Sequence, residues 1–113
     1  MSRILVVEDA AEVRELFVLM LVGAGHAVES AGTFAGADAL LDRHAYDLVL
    51  ADGRLGDGTG IMVADKAVEL GIGELILTGY AAQFGDALEH HESLPKPVRI
   101  PELLAAIERV LTN

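Results

Sequence analysis

The chain has no cysteine among its 113 residues. That excludes a disulfide framework, a thiolate zinc site and a thiol nucleophile. Basic side chains are scarce, 8 against 18 acidic ones, and the formal charge is −10. A nucleic-acid surface needs clustered Lys and Arg to neutralise phosphates, so direct DNA binding is not expected. Aromatic side chains are few: Phe17, Phe34, Tyr46, Tyr80 and Phe84. They offer little to stack a flavin or a nucleotide ring. No apolar run approaches the roughly 18–20 residues of a membrane span. The four apolar residues after Arg3 are too few for a signal-peptide core. There is no Pro/Ser-rich linker, low-complexity tract or internal repeat. The expectation is one cytoplasmic domain, residues 1–113, with no output domain and no membrane contact. Its length is enough to bury a core without staples.

What is present alternates between short apolar runs and longer amphipathic ones. Ile4-Leu5-Val6-Val7 reads as a buried strand that stops at Glu8-Asp9. Residues 10–24 follow with Val13, Leu16, Phe17, Met20 and Leu21 at helical spacing, a predicted core stripe closed by Gly23 and Gly25. Residues 26–30 are a weak strand candidate. Thr33 is a predicted N-cap for a helix carrying Phe34, Ala37, Leu40 and Leu41 and ending near His44. Leu48-Val49-Leu50-Ala51 is a second buried strand, stopping at Asp52. Residues 53–60 hold four glycines and read as a loop. Residues 61–70 are helical. Leu75-Ile76-Leu77 is the next strand and stops at Thr78. Residues 81–90 make a poor helix interrupted by Gly85. A short strand is expected at Ser93-Leu94, and the last helix starts at Pro101.

Five strand-then-helix units with continuous apolar strands predict an α/β fold with a parallel sheet covered on both faces. Right-handed crossovers make it doubly wound, and ligands bind beyond the carboxyl ends of the strands. Those ends carry Glu8 and Asp9, Asp52, Thr78 and Lys96. Three carboxylates meeting at one edge repel unless a cation lies among them. Oxygen-only ligands select a hard ion, Mg²⁺ or Mn²⁺. A carboxylate beside such an ion can act as a nucleophile toward phosphorus, and a lysine can pair with the phosphoryl oxygens.

Taken in order, these elements resemble the receiver domains of two-component response regulators. The matching stretches are Ile4-Leu5-Val6-Val7-Glu8-Asp9, Asp47-Leu48-Val49-Leu50-Ala51-Asp52, Leu55-Gly56-Asp57-Gly58-Thr59-Gly60, Leu77-Thr78-Gly79 and Lys96-Pro97. The resemblance implies a flavodoxin-like (βα)5 sheet with strand order 2-1-3-4-5. It implies Asp52 as phospho-acceptor, with Thr78 as switch hydroxyl and Lys96 as phosphate-binding amine. It implies Mg²⁺ at Glu8, Asp9, Asp52 and the Arg54 backbone carbonyl, and a cis peptide before Pro97. The implied donor is a sensor histidine kinase or a histidine phosphotransfer protein, with an unnamed protein downstream. The alternative is a pseudo-receiver that binds a partner constitutively; it usually goes with loss of these residues.

The sequence also departs from that family. Ser93 stands where a switch aromatic is usual, three residues before Lys96. Tyr80 is the nearest aromatic, and it reads as a loop residue. The span from Thr78 to Lys96 is short, so a short or distorted fourth helix is expected. This puts the common dimer face in doubt, and a stand-alone or hybrid-kinase receiver fits better. Pro95 and Val98 are further departures. Asp57-Gly58-Thr59 invites comparison with haloacid-dehalogenase phosphatases, but Leu55 replaces their nucleophilic Asp. Thr59 instead reads as a helix cap. His90-His91 reads as solvated loop, His44 as a helix-end residue, and Arg54 as an exposed side chain.

Overall fold

The computed structural model describes residues 2–79 and 85–112. Its elements are β1 (Arg3–Val7), α1 (Ala11–Gly23), β2 (Ala27–Ala31), α2 (Phe34–Arg43) and β3 (Leu48–Asp52). There follow β4 (Arg54–Leu55), β5 (Gly58–Thr59), α3 (Gly60–Glu69), β6 (Gly73–Thr78), a 3₁₀ turn (Gly85–His90), β7 (Ser93–Pro95) and a last helix, α4 (Ile100–Thr112). The main sheet runs β2-β1-β3-β6-β7 and every pairing is parallel. Setting aside the two-residue β4 and β5, this is the expected 2-1-3-4-5 order. No helix among the described residues is long and apolar enough to cross a membrane.

Alternation along each strand divides the core in two. Leu5, Val7, Val49 and Ala51 face α2 and α3. Ile4, Val6, Leu48, Leu50, Leu75 and Leu77 face α1 and α4. Removing one such side chain costs about 2–5 kcal/mol, because the packed surroundings collapse only partly. The caps follow the sequence. Thr33 Oγ1 accepts from Gly36 N at 2.9 Å, and Thr59 Oγ1 from Met62 N at 3.3 Å. Gly25 (φ 95°) and Gly71 (φ 75°) take the left-handed turn that ends α1 and α3. The Lys96-Pro97 peptide is cis, as expected.

Four expectations are corrected. Residues 53–60 are not only loop: β4 and β5 form an antiparallel hairpin pairing Arg54 with Thr59 and Leu55 with Gly58. Its anchor is Leu55, which buries its side chain in the α2–α3 core. Of the poor helix at 81–90, residues 85–90 form a 3₁₀ turn; residues 81–84 and Tyr80 lie outside the described residues. His91 is not solvated. Its side chain is 4% exposed, with Nδ1 3.0 Å from Glu74 Oε1 and Nε2 2.8 Å from Asp65 Oδ1. Pairing of β7 alongside β6 brings residue 91 next to Glu74, and α3 supplies Asp65 across the ring.

The fourth correction concerns the apolar stripe of α1. Leu21 is buried, and Phe17 and Met20 pack against the core. Val13 and Leu16 remain 37% and 53% exposed, with Leu19 and Val22 more open than Val13. The helix is apolar over more of its circumference than the sheet can cover.

Candidate functional site

Parallel register brings the predicted residues together at the carboxyl edge. Val7 pairs with Ala51, Asp52 with Leu77, and Thr78 with Pro95. Four neighbouring strands, β1, β3, β6 and β7, therefore end level. The residues just past or at their ends, Glu8, Asp9, Asp52, Thr78 and Lys96, meet over the sheet's edge.

Glu8, Asp9 and Asp52 each offer a carboxylate oxygen, and these oxygens lie within 4.8 Å of one another. Glu8 is buried at 4% exposure, Asp52 is half-buried and Asp9 is exposed. Glu8 Oε1 accepts from Ala10 N at 3.3 Å. Its Oε2 is buried with no hydrogen-bond partner among the described residues. Burial, and next the Asp52 charge, push the Glu8 carboxyl above the ordinary range, against the Ala10 hydrogen bond and Lys96. A buried carboxylate oxygen without a hydrogen-bond partner, on a residue grouped with two other acids, suits a cation ligand. All donors here are oxygen, which suits a hard divalent ion. This acidic group could hold a metal.

Lys96 Nζ donates to Asp52 Oδ1 at 2.7 Å. Burial works against its charge, but the Asp52 hydrogen bond and charge, with Glu8 and Asp9, outweigh it and raise the ammonium. One ammonium faces three carboxylates, so the site keeps a negative excess. Thr78 is buried at 3%, and its carbonyl accepts from Lys96 N at 2.9 Å. Asp52, Arg54, Thr78, Gly79 and Lys96 line a cleft of about 380 Å³. Such a cleft admits a phosphoryl-sized group between a carboxylate oxygen, a hydroxyl and an amine. Arg54 is exposed at its rim, as expected, and Ser93 sits half-buried on β7 opposite Ile76.

Several supporting residues lie outside the expected site set. Arg14 Nη1 donates to the Glu8 carbonyl at 2.8 Å, steadying the acidic pair from α1. Asp57 accepts from Phe34 N at 2.7 Å and Ala35 N at 3.0 Å. It ties the β4–β5 hairpin, which carries Arg54, to the start of α2. These hydrogen bonds hold its carboxyl below the ordinary range. Gly53 and Gly60 pack tightly about the Asp52 peptide. The four glycines of this stretch were visible in the sequence, but which of them face neighbouring atoms was not.

Known proteins share this fold. The chain is 31% identical, over 98% of both chains, to the response regulator receiver protein CpdR of Brucella abortus. Its fold is similar to a CheY-like receiver domain protein from Methanospirillum hungatei, with TM-score 0.92, 28% identity and coverage of 99% and 94%. It is also similar to the response regulator protein TrrA of Thermotoga maritima, solved in complex with Mg²⁺ and BeF, with TM-score 0.87, 26% identity and coverage of 97% and 99%. The response regulator receiver domain model matches residues 4–108, a stretch that takes in every residue of the cleft. An acidic trio, a hydroxyl and a lysine, carried on level ends of a 2-1-3-4-5 sheet, thus belong to a chain that is a member of the response regulator receiver domain family.

Proposed function

We propose that Asp52 accepts a phosphoryl group from a phosphohistidine on a sensor histidine kinase or a histidine phosphotransfer protein. The observation that carries this reading is the 2.7 Å contact of Lys96 Nζ with Asp52 Oδ1 beside three converging carboxylates. Asp52 offers a carboxylate oxygen as nucleophile while Lys96 stands ready to pair with phosphoryl oxygens. An Asp52 oxygen attacks phosphorus. The bond from phosphorus to the donor's imidazole nitrogen breaks, and its electron pair returns to the ring. The product is an acyl phosphate on Asp52.

Glu8, Asp9, Asp52 and the Arg54 backbone carbonyl are the residues that would hold Mg²⁺ or Mn²⁺. Bound there, the ion neutralises the acids and the charge developing on the phosphoryl oxygens. Thr78 would donate its hydroxyl to the same group, and partner binding would change as a result. The chain assists only its own phosphorylation and dephosphorylation, in the cytoplasm, and is not an enzyme toward other substrates.

Intact mass after incubation with acetyl phosphate tests the site. We expect one added phosphoryl group that needs Mg²⁺ and is lost in Asp52→Asn, while the melting temperature holds. An Asn variant that still gains one group sinks the assignment. A wild-type chain silent to both acetyl phosphate and beryllofluoride favours a constitutive interaction module instead.

The open apolar face of α1 supports a docking role for the protein donor. Val13 and Phe17 form one wall of an apolar groove completed by Leu77, Pro97 and Val98 beside Lys96. Val13→Asp, at an exposed position on the wall of this groove, is expected to slow transfer from a phosphohistidine protein about tenfold. Phosphorylation by acetyl phosphate should be unchanged; equal slowing with both donors would count against docking there.

A further inference from the structure

We propose that Gly53 is a positioning residue that sets where the Thr78 hydroxyl stands relative to Asp52; the role in phosphoryl transfer rests on the reading of Asp52 above. Gly53 directly follows Asp52 and lies at the level where β3 passes β6. Its N–H donates to the Leu77 carbonyl at 2.7 Å. A Cβ at this position would stand 2.9 Å from both Thr78 Cβ and Thr78 Oγ1, and 3.3 Å from the Leu77 carbonyl oxygen. The Thr78 side chain therefore occupies the volume that any other residue at 53 would claim.

Rotation about χ1 moves Oγ1 and the methyl of a threonine, but it leaves Cβ where the backbone puts it. Thr78 cannot relieve the clash by changing rotamer alone. At 3% exposure it has little room to step aside. Reaching the 3.4 Å of ordinary contact from 2.9 Å requires the end of β6 to part from the end of β3 by 3.4 − 2.9 = 0.5 Å. The other side of the strand end is bounded as well. Gly60 N donates to the Gly53 carbonyl at 3.1 Å, and the Gly60 Cα is so close that a Cβ there would lie 2.3 Å from the Asp52 carbonyl oxygen. The Asp52–Gly53 peptide is thus held between the first turn of α3 and Thr78.

The consequence reaches the chemistry by a short path. Displacing Thr78 moves its carbonyl, which holds the Lys96 N–H at 2.9 Å. Both the hydroxyl and the ammonium that face the phosphoryl group are then misplaced by a fraction of an ångström. Misplacement on that scale is costly, because catalysis depends on fixed donors aimed at developing charge.

The test is a double-mutant cycle at saturating Mg²⁺ with acetyl phosphate, read by intact mass over time, using Gly53→Ala, Thr78→Gly and both together. Gly53→Ala is expected to slow phosphorylation about tenfold in the Thr78 chain and by less than about twofold in the Thr78→Gly background, where the opposing Cβ is gone. Equal slowing in both backgrounds, or none in either, overturns the proposal. If Gly53→Ala does not fold, Thr78→Gly, which removes the opposing Cβ, should restore folding of the alanine variant; an unfolded double variant overturns the contact. A wild-type chain that takes no phosphoryl group counts against Asp52 rather than Gly53. In that case the three-bond couplings of Thr78, measured by NMR without phosphorylation, decide: a changed χ1 or methyl shift in Gly53→Ala is expected, and an identical Thr78 refutes the positioning role.

Discussion

Two clusters of acids lie at opposite ends of the sheet and are treated differently. At the amino end of β6, Glu74 and Asp65 take the two ring nitrogens of His91, and Glu74 also accepts the Glu92 N–H at 3.1 Å. Each polar atom of that buried ring has its partner. At the carboxyl end, Glu8, Asp9 and Asp52 share one ammonium, and Glu8 Oε2 is left without a hydrogen bond among the described residues. The first cluster is complete and joins β6, β7 and α3. The second leaves a buried carboxylate oxygen unpartnered among the described residues, and an acidic group of this kind could hold a metal. A buried histidine with matched carboxylates is structure; a buried carboxylate without a partner points to a ligand.

The largest expected difference between the clusters comes from removing Lys96 from one and His91 from the other. Lys96→Met should slow acetyl phosphate labelling on the order of a hundredfold, since a fixed charge facing the phosphoryl oxygens is lost. Its effect on urea unfolding should be small, because the pair is partly exposed. His91→Ala should do the reverse. It leaves a cavity beside the half-buried Glu74 and is expected to cost about 2 kcal/mol in urea unfolding. Its labelling rate should stay within about twofold of wild type. A His91 variant that loses labelling but not stability would break the contrast.

The smallest expected effect concerns Glu8. Its folded pKa lies above the unfolded value near 4.5. The folded state therefore holds a proton more tightly, so Glu8 favours folding at low pH and this advantage is lost as pH rises through the raised folded value. Glu8→Gln should make the metal-free protein about 1 kcal/mol more stable at neutral pH, with less gain below the ordinary carboxylate range. Mg²⁺ should stabilise wild type and do so less for Glu8→Gln. Thermal melts at several pH values, with and without Mg²⁺, check both signs. A variant less stable than wild type at neutral pH without Mg²⁺ would show that Glu8 is not strained.

Much of this was legible beforehand because strand burial and strand ends are written locally. Apolar runs such as Ile4-Leu5-Val6-Val7 and Leu48-Val49-Leu50-Ala51 stop at charged residues, so the positions of Glu8, Asp9 and Asp52 relative to the sheet followed from one-dimensional pattern. Thr33 and Thr59 were readable as caps for the same reason. His91 was not, since adjacent histidines in a polar stretch look solvated until β7 sets one of them against Glu74 and Asp65. The α1 stripe misled in the opposite sense: helical spacing states which residues share a face, not how wide an arc a sheet can cover.

The sequence by itself determined the fold class, the strand order through its resemblance to receivers, and the identities of the five residues at the strand ends. These depend on hydrophobic period and on spacing along the chain, both of which are local. Only the tertiary structure decided that Glu8 Oε2 lacks a partner among the described residues, that Lys96 Nζ reaches Asp52 Oδ1, and that Gly53 leaves the volume taken by Thr78. Those facts depend on distances between strands far apart in sequence. The parallel register fixes them to tenths of an ångström, and no periodicity along the chain encodes them.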